Sequence, residues 1–153
     1  RSIFMIAIGC DHGGYALKLH VIDYLEKKGF EYKDFGCHGT ASVDYPDYAL
    51  PVAEAVASGE AEKGIIICGT GIGVSIVANK VPGVRAALCS DCFSAQATRE
   101  HNDSNVLTFG ERVIGPGLAV KIVDIWLNTP FSGDPRHMRR IEKITQAEKK
   151  YSK

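Results

Sequence analysis

The amino-acid sequence predicts a single α/β domain in which a five-stranded parallel β-sheet is covered by helices on both faces. Short apolar runs alternate with longer amphipathic segments along the chain, and this alternation is typical of parallel β–α units. The length of 153 residues fits one domain with one sheet. We expect residues 5–153 to form the domain, and residues 1–4, which precede Met5, to be an expression remnant.

The predicted strands are short, rich in isoleucine, valine and alanine, and bounded by glycine or other turn residues. The first is almost uniformly apolar, as expected for a strand that is buried on both faces of a sheet. The third, which contains Ile65, Ile66 and Ile67, is the clearest central strand. The five predicted strands comprise residues 3–8, 30–35, 64–68, 84–89 and 105–109.

The predicted helices carry apolar residues at three- and four-residue spacing, such as Leu17, Val21 and Leu25 in the first of them. A C-terminal helix is predicted to begin with Asp134 as its N-cap and Pro135 at its first position. The other five predicted helices comprise residues 15–28, 45–57, 73–80, 93–101 and 118–127. Together these elements predict a Rossmann-like three-layer sandwich with an additional C-terminal helix.

The charge balance excludes some classes of partner. Lys plus Arg and Asp plus Glu both number 18, so the net charge is zero, which argues against a nucleic-acid or membrane-surface binder. No apolar run approaches the roughly 18 residues of a membrane span, and no signal-peptide pattern is present. The five cysteines are an odd number, so we expect reduced thiols and a cytoplasmic location.

A glycine-rich loop follows the third predicted strand, at the sheet edge where ligands of such folds bind. Its sequence, Cys-Gly-Thr-Gly-Ile-Gly over residues 68–73, can aim backbone N–H groups at a phosphate or at an oxyanion formed during a reaction. A dinucleotide-binding interpretation is incomplete, because Val74 stands where the third small residue belongs. Cys68 is either an activated thiol or a small residue that ends the strand.

Three other groups of residues could carry chemistry. Asp11 and His12 follow the first strand and could bind hydroxyls or transfer protons, or Asp11 could simply cap a helix. His101 could act as an acid–base group or cap the C-terminus of its helix. Arg136 and Arg140 lie one turn apart near a helix N-terminus, which suits phosphate but also a solvated face.

Cys89 and Cys92 form a C-x-x-C pair, which could be a redox pair, half of a zinc site or a coincidence. No further residues have the spacing of zinc ligands, so we expect no metal and no cofactor. The combined residues predict cofactor-free proton transfer on a small phosphorylated substrate, with backbone amides holding an enediolate.

The order of these motifs resembles one family over nearly the whole chain, from about Met5 to Tyr151. The family is ribose-5-phosphate isomerase type B, whose wider group includes galactose- and allose-6-phosphate isomerases. The matching segments are residues 9–14, 44–46, 67–73, 78–80, 99–103 and 136–137. The resemblance implies metal-free interconversion of ribose 5-phosphate and ribulose 5-phosphate, as in the pentose phosphate pathway.

The resemblance also implies a role for individual residues. Cys68 matches the base that moves a proton between C1 and C2, Thr70 assists at the oxygens, and His101 opens the furanose ring. The presence of Cys68 identifies the chain as a member of the cysteine branch of the family. The implied substrate contacts are Asp11, His12, Tyr45, Gly69, Gly71, Ile72, Gly73, Asn102, Arg112, Arg136 and Arg140.

Members of this family form homodimers with shared active sites, and some associate further into tetramers. The resemblance therefore implies that His101, Asn102 and Arg112 meet the Cys68 loop of a neighbouring subunit. Two alternatives stay open. The substrate could be a six-carbon aldose 6-phosphate, or the chain could be a non-catalytic sugar-phosphate or nucleotide-binding module.

Overall fold

The computed structural model describes residues 4–152 of the chain. The expected remnant at residues 1–4 therefore lies mostly outside the described residues. Phe4 is described, and its ring centroid lies 5.9 Å from that of Phe30.

The predicted five-stranded parallel sheet is confirmed. Its strands occur in the spatial order β2-β1-β3-β5-β4, and every neighbouring pair is parallel. The central strands β1, β3 and β5 are almost entirely buried, which explains their uniformly apolar sequences. The strands are β1 Met5–Cys10, β2 Glu31–Asp34, β3 Lys63–Cys68, β4 Ala86–Leu88 and β5 Val106–Gly110.

The six predicted helices are also present, with small shifts at their ends. A short 3-10 helix, His12–Gly14, between β1 and α1 was not predicted. Asp134 caps the C-terminal helix as expected, since its Oδ1 accepts a hydrogen bond from the Arg136 amide at 2.8 Å. The helices are α1 Tyr15–Lys27, α2 Pro46–Ser58, α3 Ile72–Ala78, α4 Cys92–Asn102, α5 Pro116–Asn128 and α6 Pro135–Tyr151.

The fourth strand is shorter than the predicted range of residues 84–89. It lies at the edge of the sheet and pairs only with β5. Before it, the Val84 amide donates to Val81 O in a turn, and the Arg85 amide donates to the Asn105 side chain at 2.8 Å. These bonds take the place of ladder bonds, so only Ala86–Leu88 is a strand.

Alternating side chains of β3 divide the core into two halves. Ile65 and Ile67 pack in the cluster formed with α1, α4 and α5, whereas Ile66 and Cys68 pack in the cluster formed with α2 and α3. The sheet is therefore the middle of three layers, as predicted. None of the described helices is both long and apolar enough to cross a membrane.

The C-terminal helix α6 contributes no fully buried residue. Three large apolar side chains on it remain exposed, with exposed fractions of 54% for Met138, 49% for Ile144 and 81% for Tyr151.

The register of the sheet aligns the carboxyl ends of its central strands. Cys10 pairs with Ile67, and Cys68 pairs with Gly110, so the loops that follow β1, β3 and β5 emerge together. We call this side the carboxyl edge and the opposite side, where the strands begin, the amino edge.

Candidate functional site

The glycine loop, residues 69–73, lies tightly against the end of β5. Gly71 has a positive φ of 82°, and a Cβ atom there would be 2.7 Å from the backbone of Phe109. A Cβ atom at Gly110 would be 2.5 Å from Gly69 O. Glycine is required at these positions because backbone approaches backbone, so the spacing of the motif is explained by packing as well as by ligand binding.

The Cys68 thiol lies at the base of this loop, and its side chain is only 5% exposed. The Gly71 amide donates a hydrogen bond to Cys68 Sγ at 3.0 Å. An N–H donor at this distance stabilises negative charge on the sulfur. Thr70 Oγ1 accepts from the Ile72 amide at 3.1 Å, so two of the loop amides are engaged with the candidate catalytic side chains.

Asp11 and His12 lie beside the glycine loop. Asp11 caps the 3-10 helix, since its Oδ1 accepts from the Gly13 amide at 2.9 Å, and it is 8% exposed. His12 Nδ1 accepts from the Val43 amide at 3.1 Å, so Nε2 of the neutral ring carries the hydrogen. A Cβ atom at Gly13 would be 3.3 Å from the Gly69 amide nitrogen, which places the two loops in contact.

Tyr45 and Arg112 complete the carboxyl-edge group. The Tyr45 ring covers Gly73, where a Cβ atom would be 2.7 Å from the ring. Arg112 donates its amide hydrogen to Gly69 O at 3.0 Å, and a Cβ atom at Gly69 would lie 3.5 Å from the Arg112 side chain. The tight turn after β5 thus places Arg112 beside the glycine loop of its own subunit, whereas the sequence led us to expect it at the loop of a neighbouring subunit.

His101 and Asn102 lie at the amino edge instead, because α4 runs back across the sheet. Arg85, which immediately precedes β4, donates from Nε to Asn102 O at 2.9 Å. His101 is exposed, and its ring stacks on that of His137 with the centroids 4.5 Å apart.

Arg136 and Arg140 belong to the same amino-edge group, since the stack joins the start of α6 to the end of α4. Both side chains are exposed, and Arg136 Nη2 lies 3.6 Å from Asp134 Oδ2. The exposed guanidinium groups can bind an anion such as phosphate.

A single subunit does not bring the two groups together. Strand β3 has six residues, and at about 3.3 Å per residue its two ends are roughly 17 Å apart. The carboxyl-edge group comprises Asp11, His12, Tyr45, the Cys68 loop and Arg112, and the amino-edge group comprises His101, Asn102, Arg136 and Arg140. Each group is half of the site that the sequence predicts.

The grooves on the surface of the protein do not by themselves reveal that the site residues form two groups. A groove of about 720 Å³ between α6 and the amino edge borders Asn102, but it is distant from Cys68. The candidate site is therefore identified by its side chains and not by this groove.

Cys89 and Cys92 are both free thiols, the first buried and the second partly exposed. Burial raises the pKa of Cys89 to about 11, with the Asp91 charge as a smaller cause. Within residues 4–152, no group of three or more His, Cys, Asp or Glu side chains is arranged to hold a metal ion.

Two residues near these groups were missed by the sequence analysis. Lys18 is fully buried, and its Nζ donates to Asp34 Oδ1 at 2.7 Å and to Cys37 O at 2.6 Å, which anchors the loop after β2. Its position on the apolar stripe of α1 with Val21 and Leu25 was the available signal. His137 was noted beside Arg136 but was given no role.

Comparisons with known proteins give one consistent result. The family model described as Ribose/Galactose Isomerase matches residues 6–144. The chain is 51% identical over 145 residues to ribose-5-phosphate isomerase B of Escherichia coli, covering 95% of this chain and 97% of that one.

Two solved structures have nearly the same fold. Ribose-5-phosphate isomerase B of Clostridium thermocellum has a TM-score of 0.95 and 59% identity, covering 97% of this chain and 99% of that one. The Mycoplasma genitalium enzyme with bound ribulose-5-phosphate has a TM-score of 0.93 and 42% identity, with the same coverage of both chains. The chain belongs to the ribose/galactose isomerase family.

Proposed function

We propose that this protein is a ribose-5-phosphate isomerase that interconverts ribose 5-phosphate and ribulose 5-phosphate by proton transfer. The observation that carries the proposal is the Gly71 amide donating to Cys68 Sγ at 3.0 Å, directly beside the Thr70 hydroxyl. This arrangement joins a base to the donors that an enediolate needs. The family membership and the bound ribulose-5-phosphate in the Mycoplasma genitalium enzyme support the same activity.

Each proton in the reaction has a residue to carry it. Cys68, as the thiolate, removes the proton from C2 of the open aldose and returns it to C1. The Thr70 hydroxyl passes the proton of the O2 hydroxyl to O1, so the carbonyl moves from C1 to C2 with all atoms conserved. The loop amides that do not donate to Cys68 Sγ or Thr70 Oγ1 stabilise the enediolate between the two steps, when negative charge develops on its oxygens.

Substrate binding uses the rest of the carboxyl-edge group. His12 presents Nε2–H because its Nδ1 accepts from the Val43 amide, so the ring donates to a sugar or phosphate oxygen. Arg112 lies beside Gly69 and supplies positive charge next to the loop. Asp11 uses Oδ1 to cap the 3-10 helix, which leaves Oδ2 to accept from a sugar hydroxyl.

We further propose that the active site forms between two copies of the chain in a homodimer. His101, Asn102, Arg136 and Arg140 of one subunit would then face the Cys68 loop of the other. The separation of the two half-sites in one subunit supports this assembly, as do the exposed Ile72, Leu88 and Phe93 near the carboxyl edge, with exposed fractions of 50%, 40% and 78%.

A reducing compartment such as the cytoplasm fits the thiols of the described residues. Cys10 Sγ and Cys37 Sγ are 3.9 Å apart in the core and form no disulfide, and all five cysteines are free thiols.

The decisive experiment is NMR of ribose 5-phosphate incubated with the protein in deuterated water, with allose 6-phosphate in a parallel sample. We expect ribulose 5-phosphate to appear with deuterium at C1, because the base exchanges its proton with solvent. Turnover of allose 6-phosphate alone would keep the mechanism and replace the substrate with a six-carbon sugar phosphate. Turnover of neither sugar by the folded protein would contradict the proposal.

A further inference from the structure

Two imidazole rings are stacked at the amino edge, and only one of them has been given a role. The ring centroids of His101 and His137 are 4.5 Å apart, and the ring planes are tilted by 36°. His101 is exposed at the end of α4, whereas His137 is half-buried in the first turn of α6. His101 is therefore the solvent-exposed ring of the pair, and His137 is the ring that the fold holds in place.

The ring of His137 is anchored on its far side. Ser132 Oγ lies 2.7 Å from His137 Nδ1. The same oxygen accepts a hydrogen bond from the Asp134 amide at 3.1 Å, which leaves the Ser132 hydroxyl hydrogen for Nδ1.

The backbone joins this anchor to the helix that carries His101. The Ser132 amide donates to Glu100 O at 3.3 Å, and Glu100 directly precedes His101. The segment before α6 is thus joined to α4 by a backbone hydrogen bond, and α6 itself is joined to α4 by the stacked rings. Both contacts restrict where the His101 ring can lie.

We propose that His137 is a positioning residue that holds the His101 ring at the angle needed to open the sugar ring. This inference rests on the proposed function. Opening of the furanose breaks the bond between C1 and the ring oxygen O4 and forms the carbonyl at C1. One proton leaves the O1 hydroxyl and one reaches O4, so the imidazole of His101 can accept the first and donate the second without net change.

The stack matters for this step because one ring must serve two oxygens in turn. An unsupported imidazole at a helix end samples several rotamers, and only some of them reach both oxygens. A neighbouring flat ring restricts rotation and leaves the edge of His101, with its nitrogens, free for the substrate.

The test compares conversion of ribose 5-phosphate, which needs the sugar ring to open, with exchange of the C1 proton of ribulose 5-phosphate in deuterated water, which does not. Ribose 5-phosphate is mainly a closed ring, whereas ribulose 5-phosphate is open, because its C5 oxygen carries the phosphate and cannot close a five-membered ring on C2. Cys68 can remove and replace the C1 proton of ribulose 5-phosphate without any ring step, whereas the kcat/KM values for the two directions of conversion must change by the same factor, because the equilibrium constant fixes their ratio.

We expect His137→Ala to lower kcat/KM for ribose 5-phosphate about tenfold and to leave the rate of C1 proton exchange in ribulose 5-phosphate within about twofold of wild type. His137→Phe keeps a flat ring and loses the Ser132 bond, so it should recover most of the forward rate. Met138→Ala, one residue along α6 and 54% exposed, is the matched control and should behave as wild type.

A second arm uses the double variant His101→Asn with His137→Ala. It should be no slower in the forward direction than His101→Asn alone, because His137 acts only through His101.

Several results would overturn the inference. These are an unchanged kcat/KM for ribose 5-phosphate in His137→Ala, an equal loss of conversion and of C1 proton exchange, or a rise in KM alone, which would mean that His137 supports the phosphate-binding arginines instead. Absence of turnover by the wild-type protein in either direction would instead contradict the proposed function itself, and this inference with it.

Discussion

Cys68 and His101 lie at opposite edges of the same sheet within one subunit. Cys68 ends β3, where the Gly71 amide contacts its sulfur, and His101 lies in the last turn of α4, next to residues that precede β4. Because a helix that follows a parallel strand returns to the start of the sheet, no adjustment of loops can bring these two side chains together in one copy. A site that uses both therefore needs two copies.

A complementation experiment tests this arrangement. Cys68→Ser and His101→Asn should each lose most of the forward activity on ribose 5-phosphate. When the two variants form mixed dimers, one site in each mixed dimer regains both native residues, so about a quarter of the wild-type activity should return.

The matched control pairs Cys68→Ser with Arg112→Ala. Both residues lie in the carboxyl-edge group, so every site of the mixed dimer lacks one of them and no activity should return. Recovery with Arg112→Ala, or failure to recover with His101→Asn, would contradict the division of the site into these two groups.

The arginines of α6 are predicted to bind the phosphate. Arg140→Ala should raise KM for ribose 5-phosphate by about tenfold to a hundredfold, with a smaller effect on kcat, because the phosphate does not react. The inhibition constant of inorganic phosphate should rise in parallel. Arg139→Ala is the control, since it removes a neighbouring exposed charge that has no proposed contact, and equal effects of the two substitutions would count against a specific phosphate contact.

Lys18 is predicted to be important for stability. Lys18→Met removes the ammonium that binds Asp34 Oδ1 and Cys37 O and leaves both acceptors without it, so we expect a loss of about 3 kcal/mol in the free energy of unfolding. Lys27→Met, which removes an exposed pair with Asp23, should change it by no more than about 0.5 kcal/mol. Urea denaturation of both variants measures the difference, and similar values for the two would refute the prediction.

The buried thiols predict a loss of stability at alkaline pH. Burial raises the pKa of Cys10 to about 12, against a smaller opposite effect of the Lys18 charge. Between the ordinary thiol pKa of roughly 8.5 and about 12, the unfolded chain loses this proton while the folded chain keeps it, so stability falls as pH rises through this range. Below a pH of roughly 8.5 the thiol is neutral in both the folded and the unfolded chain, so its contribution to the free energy of unfolding is fully present.

Urea midpoints measured at several pH values between about 8 and 10.5 check this prediction. Cys10→Ala should show a shallower decline than wild type, even if its midpoint is lower throughout. Cys92→Ala, which removes a partly exposed thiol, should keep the wild-type slope. Parallel curves for wild type and Cys10→Ala would show that this thiol does not contribute.

The sequence alone determined the fold class, and it predicted the residues of the candidate site. Short, uniformly apolar runs such as Ile65 to Ile67, bounded by glycines, favour strands that are covered on both faces, and this signal does not depend on how the helices are arranged. The Cys68 loop was found for a similar reason, because its glycines are needed locally, wherever the loop lies.

Only the tertiary structure decided which of these residues share a surface. The strand order, the return of α4 to the amino edge and the approach of Arg112 to Gly69 depend on contacts between residues distant in the chain. The stack of His101 on His137 has no local sequence signal for the same reason, because the two residues lie on different helices and are 36 positions apart in the chain. The local sequence pattern specifies the individual helices and strands, whereas packing across the whole core decides which of them come into contact. That packing places the predicted site residues in two separate groups.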